Sequence, residues 1–131
     1  MSETSIMRDI LMAVGTLPGA LFLRRNVGVF RSLDGKMVVR CGIPGQADIA
    51  GCYRGKFVEI EVKTETGRLS PDQKRWKMAV ERAGGVFLVA RTPADALEAL
   101  AAIDAQSTRL PDPSTTQPAE AKSAGNGEAM A

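Results

Sequence analysis

Two segments decide the fold of this chain: Gly45-Gln46-Ala47-Asp48 and Phe57-Val58-Glu59-Ile60-Glu61-Val62-Lys63. The intervening Tyr53-Arg54-Gly55-Lys56 is typical of a tight hairpin that joins two antiparallel strands. If Arg54 and Gly55 form a two-residue turn, Tyr53 pairs with Lys56 and Asp48 stands directly opposite Glu61. Directly opposed residues share a face of the sheet, with Cβ atoms about 5 Å apart. Side chains alternate along a strand, so Lys63 is predicted to lie on that face as well.

Two opposed carboxylates repel each other unless a cation lies between them. A divalent metal with oxygen ligands resolves the repulsion, and Lys63 beside it then becomes a candidate catalytic residue. The alternative is an exposed strand face whose charges pair along the strand. Because side chains alternate, Val58, Ile60 and Val62 are predicted to face the core on the opposite side of the strand. Glu59 shares the face of Glu61 but lies further from the metal, and it is interpreted as structural.

Gln73 is the next candidate. It shares a helix face with Trp76 and Val80 at spacings of three and seven residues, which places an amide on the apolar stripe. A buried amide needs hydrogen-bond partners. A helix that packs over the strand would direct Gln73 towards Lys63; the alternative is a residue of the first helical turn that bonds only to backbone.

The other patterns predict a mixed α/β fold. They indicate a helix over residues 5–15 with Ser5 as N-cap, strands over 20–24, 27–32 and 37–41, a helix from Pro71 to about Ala83 with Ser70 as N-cap, a buried strand over 86–90, and a helix from Pro93 to about Ile103. From Ala105 the chain has almost no large apolar residue and is predicted to be disordered. We therefore expect one domain over residues 1–104 and a tail over 105–131.

Composition narrows the class of protein. The chain has 131 residues, 44% of them hydrophobic, and no histidine, which excludes mechanisms that need an imidazole base. No apolar run approaches the roughly 20 residues that span a bilayer, and the N-terminus lacks the pattern of a signal peptide. We therefore expect no membrane association and a cytoplasmic location. Cys41 and Cys52 lack metal-type spacing and are predicted to be reduced, partly buried thiols.

Charge is distributed unevenly. Residues 1–93 carry a net charge of +6 and residues 94–131 a net charge of −4. A basic body suits a polyanionic partner such as nucleic acid, although a solvated basic surface without a partner remains an alternative. The candidate phosphate contacts are Arg24, Arg25, Arg31, Lys36, Arg40, Arg68, Lys74, Arg75 and Lys77.

Asp48, Glu61-Val62-Lys63 and Leu69-Ser70-Pro71-Asp72-Gln73 together resemble the PD-(D/E)XK nuclease core, specifically the stand-alone, phage-type members of its VRR-NUC branch. Leu17-Pro18-Gly19, Arg25-Asn26-Val27-Gly28 and the loop from Gly42 to Asp48 also resemble the small phage members. The resemblance covers roughly residues 3–100. It implies a restriction-endonuclease-like αβββαβ core with a central mixed sheet flanked by helices.

The resemblance implies metal-assisted phosphodiester hydrolysis. Asp48, Glu61 and the main-chain carbonyl of Val62 would hold Mg²⁺ or Mn²⁺, and an acidic residue of the first helix points to Glu3 as a further ligand. Lys63 would position or help to deprotonate the attacking water, or stabilise charge on the phosphate. Gln73 would orient Lys63, a water molecule or a phosphate oxygen.

The resemblance also points to a structure-specific DNA nuclease acting on branched duplexes such as flaps or four-way junctions. It would work in a bacterial host cytoplasm if the chain is encoded by a phage or prophage. A four-way junction has two-fold symmetry, which a homodimer matches. Two alternatives stay open: a nucleic-acid-binding accessory protein that keeps the nuclease fold without cutting, and a metal-free structural domain.

Overall fold

The computed structural model describes residues 2–107 of the chain. In that part of the chain, the elements follow in the order α1 (Glu3–Gly15), β1 (Ala20–Arg24), β2 (Gly28–Arg31), β3 (Val38–Cys41), β4 (Ile49–Tyr53), β5 (Lys56–Val62), α2 (Pro71–Arg82), β6 (Val86–Ala90) and α3 (Pro93–Ser107). None of the described helices combines the length and apolar character needed to cross a membrane.

Four strands form one mixed sheet in the order β1-β4-β5-β6. The pairs β1–β4 and β4–β5 are antiparallel, whereas β5–β6 is parallel because α2 connects these two strands. Strands β2 and β3 form a separate antiparallel hairpin between β1 and β4. The predicted mixed α/β class with a central mixed sheet is confirmed.

The β4–β5 hairpin has the predicted register. Tyr53 pairs with Lys56, and pairing continues to Ile49 with Ile60. Arg54 and Gly55 both have positive φ, 49° and 82°, as a type I′ two-residue turn requires. The next residues along the two strands are Asp48 and Glu61, so the register delivers both acids to the same end of the hairpin.

Helices α1 and α3 cover one face of the sheet. Their apolar residues, among them Ile10 and Leu100, pack against Val58, Ile60 and Val62 of β5, all of which are fully buried. Alternation along the strand therefore directs its valines and isoleucine into the main core, as predicted.

Helix α2 covers the other face of β5 and β6. Val80 packs there with Phe87 and Ala47 in a smaller apolar cluster. Glu59 and Glu61 lie on this face at 0% and 3% exposure, so the alternative of an exposed, charge-paired strand face is wrong.

Two helix ends and one thiol differ from the prediction. Helix α1 begins at Glu3, because the Ser2 side chain, not that of Ser5, caps it by accepting the Ser5 N–H. Helix α3 continues to Ser107, so the predicted tail loses its first three residues; the remainder of that prediction, residues 108–131, lies outside the described residues. Cys41 is half-buried as predicted, but Cys52 is exposed.

The start of α2 follows the prediction closely. Ser70 is the N-cap and Pro71 the first helical residue. The Ser70 hydroxyl accepts the Gln73 N–H, and Gln73 Oε1 accepts the Ser70 N–H at 2.9 Å. This reciprocal capping box holds the Gln73 side chain in one position.

Gly45 brings the loop before Asp48 against the first turn of α2. Its φ is +94°, and a Cβ at this position would lie 2.3 Å from the carbonyl oxygen of Asp72. Real Cβ atoms do not approach backbone so closely, so the close packing of loop and helix requires glycine at this position.

We expect Gly45→Ala to lower the free energy of unfolding by at least about 2 kcal/mol, because it adds both a positive-φ penalty and a backbone clash. The matched control is Gly35→Ala, where φ is +74° and no atom lies within 4 Å of the added Cβ; its cost should be only about 1 kcal/mol. Urea unfolding of both variants measures the difference, and equal losses would contradict the packing argument.

Candidate metal centre

Asp48 is held between two strands at the end of the sheet. Its main-chain carbonyl accepts the Arg25 N–H at 2.7 Å, which ties it to the segment after β1. Its side-chain Oδ2 accepts the N–H of Val62 at 3.0 Å. The carboxylate therefore lies across the end of β5, next to Glu61.

Glu61 is the only glutamate or aspartate among residues 2–107 with a buried side-chain carboxylate oxygen that lacks both a hydrogen bond and an ion pair. Its Oε1 accepts Gln73 Nε2–H at 2.8 Å and lies 3.6 Å from Lys63 Nζ, whereas Oε2 is buried and has no hydrogen-bond partner. Burial, followed by the negative charge of Asp48, raises the pKa of Glu61 to about 8, while the positive charge of Lys63 opposes the rise. A buried carboxyl oxygen without a partner costs free energy of folding, and a cation bound at Oε2 would offset that cost.

Glu59 shows how the same strand satisfies a carboxylate completely. Arg25 donates to its Oε1 and the Trp76 indole N–H to its Oε2. Glu59 thus joins the segment after β1, strand β5 and helix α2. The prediction that Glu59 is structural agrees with this placement, and the difference between the two glutamates identifies Glu61 as the one with spare coordination capacity.

Hydrogen bonds hold the backbone of Lys63 and of the loop that follows it. Its main-chain N–H donates to the carbonyl of Ala90 at 3.1 Å. The loop that follows is held by the Arg91 guanidinium, which donates to the carbonyls of Thr64 and Glu65. The ammonium group, on a side chain only 15% exposed, is consequently kept beside Glu61.

Gln73 bonds both to backbone and to a side chain of the candidate site. Its oxygen caps the helix backbone at Ser70, and its nitrogen donates to Glu61. Gln73 therefore contacts Glu61 directly, and Glu61 Oε1 is the atom that both Gln73 and Lys63 approach; that Gln73 orients Lys63 stays a prediction.

The structure does not group Glu3 with Asp48 and Glu61, and its role as a further ligand stays a prediction. No group of three or more His, Cys, Asp or Glu side chains suited to a metal occurs within residues 2–107. Glu3 is exposed, at the first turn of α1, although its charge contributes a small rise to the pKa of Glu61. The predicted helix start at residue 5 would have left Glu3 ahead of the helix, whereas in the structure Glu3 is the first residue of α1.

The donor set fits a hard divalent cation. Asp48 and Glu61 supply carboxylate oxygens, and one Glu61 oxygen is unused. Mg²⁺ is commonly bound by one or two carboxylates together with water and substrate phosphates, so the absence of a third acid among the described residues is compatible with it.

The candidate phosphate contacts occupy different parts of the surface. Arg24 ends β1, Arg68 precedes α2, the hairpin carries Arg31, Lys36 and Arg40, and α2 carries Lys74, Arg75 and Lys77. All of these are exposed except Lys77, which is half-buried, and Arg75 pairs with Asp72. Arg25 is different: its guanidinium is bound to buried Glu59 instead of presenting a free charge, and its main-chain N–H holds Asp48.

The positioning roles of Arg25 and Trp76 were not predicted from the sequence. For Trp76 a signal was nevertheless present: Glu59 and Glu61 are two residues apart on a strand, and Gln73 and Trp76 are three apart on a helix. These spacings are about 7 Å along the strand and about 4.5 Å along the helix. When the helix packs across the strand, Gln73 can therefore donate to Glu61 while Trp76 donates to Glu59.

Comparison of the chain with models of known protein families finds no match, and comparison with curated proteins finds none either.

We expect the stability of the metal-free protein to fall as pH rises from about 4.5 to about 8. In this window native Glu61 retains a proton that the unfolded chain has released, so the native state binds more protons and deprotonation disfavours it. Glu61→Gln should remove this slope and be more stable than wild type at pH 9. Urea unfolding in EDTA at pH 5, 7 and 9 tests it.

Glu59→Gln is the matched control. It weakens the bond to Arg25 and should lower stability by about 1–3 kcal/mol without removing the pH slope. Parallel pH profiles for wild type and Glu61→Gln would contradict the assignment of the raised pKa to Glu61.

Proposed function

We propose that this protein is a metal-dependent DNA nuclease of the VRR-NUC branch of the PD-(D/E)XK superfamily. The observation that carries the proposal is the state of Glu61: a buried carboxylate beside Asp48, contacted by Lys63 and Gln73, with one oxygen left open. A merely structural acid would have its oxygens satisfied, as Glu59 does.

The topology supports this proposal. With the β2–β3 hairpin set aside, the elements from α1 to β6 run α-β-β-β-α-β and their strands form a single mixed sheet. This is the element order that the resemblance implies for a restriction-endonuclease-like core. Asp48 directly precedes the second strand of that order, Glu61 lies on the third strand with Lys63 directly after it, and Gln73 lies on the helix that follows.

In the proposed reaction, a water oxygen bonds to phosphorus, the phosphodiester P–O bond breaks, and the leaving oxygen takes a proton. Asp48, Glu61 and the Val62 carbonyl would hold Mg²⁺ or Mn²⁺, which polarises the phosphate and lowers the pKa of a bound water. Lys63 Nζ would hold positive charge beside the phosphate oxygens as negative charge develops on them. Gln73 keeps the Glu61 carboxylate in a fixed orientation through its 2.8 Å hydrogen bond.

The proposed substrate is branched duplex DNA, such as a flap or four-way junction. The exposed candidate phosphate contacts lie on the hairpin, in the first half of α2 and next to these two elements, and contacts of this kind position a duplex without reading its sequence. The alternative is an accessory protein that binds nucleic acid without cutting. A protein that only binds has no need for Asp48, Glu61 and Lys63 together, so this set favours the nuclease over the accessory protein.

We expect wild-type protein with Mg²⁺ or Mn²⁺ to cleave labelled duplex, flap or four-way-junction DNA, and EDTA to abolish cleavage. Lys63→Ala should lower the rate at least about 100-fold, because it removes the charge beside the reacting phosphate. Lys56→Ala, an exposed lysine at the opposite end of β5, is the control and should cleave at the wild-type rate. DNA binding without cleavage in either metal would favour the accessory protein.

We further propose that the protein is a homodimer in which β1 meets its symmetry-related copy. In the described sheet β1 is an edge strand, and Leu21 and Leu23 on it are 67% and 66% exposed. An exposed apolar edge strand is a ready template for pairing with a second chain, and a two-fold axis makes such pairing self-complementary.

The double variant Leu21→Lys/Leu23→Lys should be monomeric, because it places four lysines of two copies across the two-fold interface. Met12→Lys, at an equally exposed position on α1 (67%), should keep the wild-type mass. Light scattering after size-exclusion chromatography measures both, and a monomeric wild-type protein would rule out the proposed dimer.

A further inference from the structure

The β2–β3 hairpin has two chemically different faces. Directly opposed residues share a face, so the pairs Val29–Arg40 and Arg31–Val38 form one face and Phe30–Val39 the other. The first face, which carries both arginines, is the more exposed: Val29 and Val38 are 60% and 62% exposed, against 46% and 41% for Phe30 and Val39. The arginine-bearing face is thus the more exposed of the two, and we call it the outer face.

The cations of the hairpin have no acidic partners among the described residues. Arg31 and Arg40 lie on the outer face and Lys36 in the connecting turn, and all three are exposed. The ion pairs within residues 2–107 involve only other cations. The one acid of the hairpin, Asp34, is occupied by the Ser32 hydroxyl and the Lys36 main-chain N–H, which lower the pKa of its carboxyl.

Both ends of the hairpin are anchored at the candidate metal centre. On the β2 side, the Arg25 main-chain N–H donates to the Asp48 carbonyl and its guanidinium to Glu59. On the β3 side, the loop through Gly45 packs against the first turn of α2, close to Gln73. The hairpin is not hydrogen-bonded into the main sheet, so it is a separate arm that starts at the site.

We propose that the outer face of this arm lies against the phosphate backbone of a DNA duplex and aligns it with the carboxylates. Unpaired arginine and lysine side chains are the groups that neutralise phosphates. A two-stranded β-ribbon is also narrow enough to enter the major groove, where the phosphates of both strands flank it. The identity of the polyanion rests on the proposed nuclease function. Arg31 and Arg40 of the outer face and Lys36 of the turn then act together as one binding element, distinct from Lys74, Arg75 and Lys77 of α2.

The test measures the salt dependence of DNA binding. Arg31→Gln/Lys36→Gln/Arg40→Gln is compared with Arg8→Gln/Lys56→Gln/Arg82→Gln, a control that removes the same charge from exposed positions outside the hairpin. Fluorescence anisotropy of a labelled duplex in EDTA, from 50 to 200 mM salt, reports binding without cleavage. Unfolding curves confirm that both variants are folded.

The hairpin variant should reduce the slope of log affinity against log salt by about 0.9 for each phosphate that it no longer neutralises, hence by about 2–3 in all. The control should keep the wild-type slope. Equal changes of slope in both variants would mean that only the loss of net charge matters, which would overturn the proposal. A hairpin variant that binds like wild type would overturn it as well. A changed oligomeric mass with an unchanged slope would overturn it too, making the arm an interface between copies.

These outcomes separate the arm from the nuclease chemistry. In one outcome, the wild-type protein and the hairpin variant differ in salt slope as expected while the wild type never cleaves DNA. In that case the proposal for the arm holds and the proposed nuclease function is wrong. If Lys63→Ala abolishes cleavage while the hairpin variant binds like wild type, the nuclease stands and the arm fails.

Discussion

The two-residue turn at Arg54 and Gly55 is the constraint on which the candidate site depends. It determines which residues of β4 and β5 are opposed, and therefore that Asp48 and Glu61 arrive at the same end of the hairpin. Because side chains alternate with a period of two, a slip of one residue would turn Asp48 to the opposite face. The positive φ values of both turn residues match the twist of the strands, and the buried valines and isoleucine of β5 make any other register costly.

Helix α2 supplies the side chains that bond the two buried glutamates of β5. One end of the helix is fixed by the capping box of Ser70 and Gln73, and the same Gln73 side chain reaches Glu61. One turn further on, Trp76 reaches Glu59. The two glutamates are buried by the same helix, yet only Glu59 obtains a partner for each oxygen. The close contact of Gly45 with the helix start couples the loop before Asp48 to the same arrangement.

Local rules predicted much of this arrangement, and contacts between distant segments account for what they missed. The hairpin register, the N-cap of α2 and the alternation along β5 follow from turn chemistry, capping and periodicity, which act over a few residues. The ion pair of Arg25 with Glu59 joins residues 34 positions apart, and no local pattern distinguishes an arginine that meets a buried acid from one that meets phosphate. The start of α1 was misplaced because both Ser2 and Ser5 are good caps, and only the folded helix selects between them.

Burial of Glu61 without a partner for Oε2 is costly, and the surrounding contacts show why the fold tolerates it. The strand is held by three apolar residues in the main core, and Glu59 is bonded to two elements. Glu61 cannot turn to water without breaking its bond to Gln73, which would also disturb the capping box. Its neighbours therefore hold the carboxylate where its charge is disfavoured, and this is the condition in which a cation gains most from binding. A buried acid with a raised pKa and an unused oxygen, in an otherwise well-packed sheet, departs from local consistency, and such departures concentrate at functional sites.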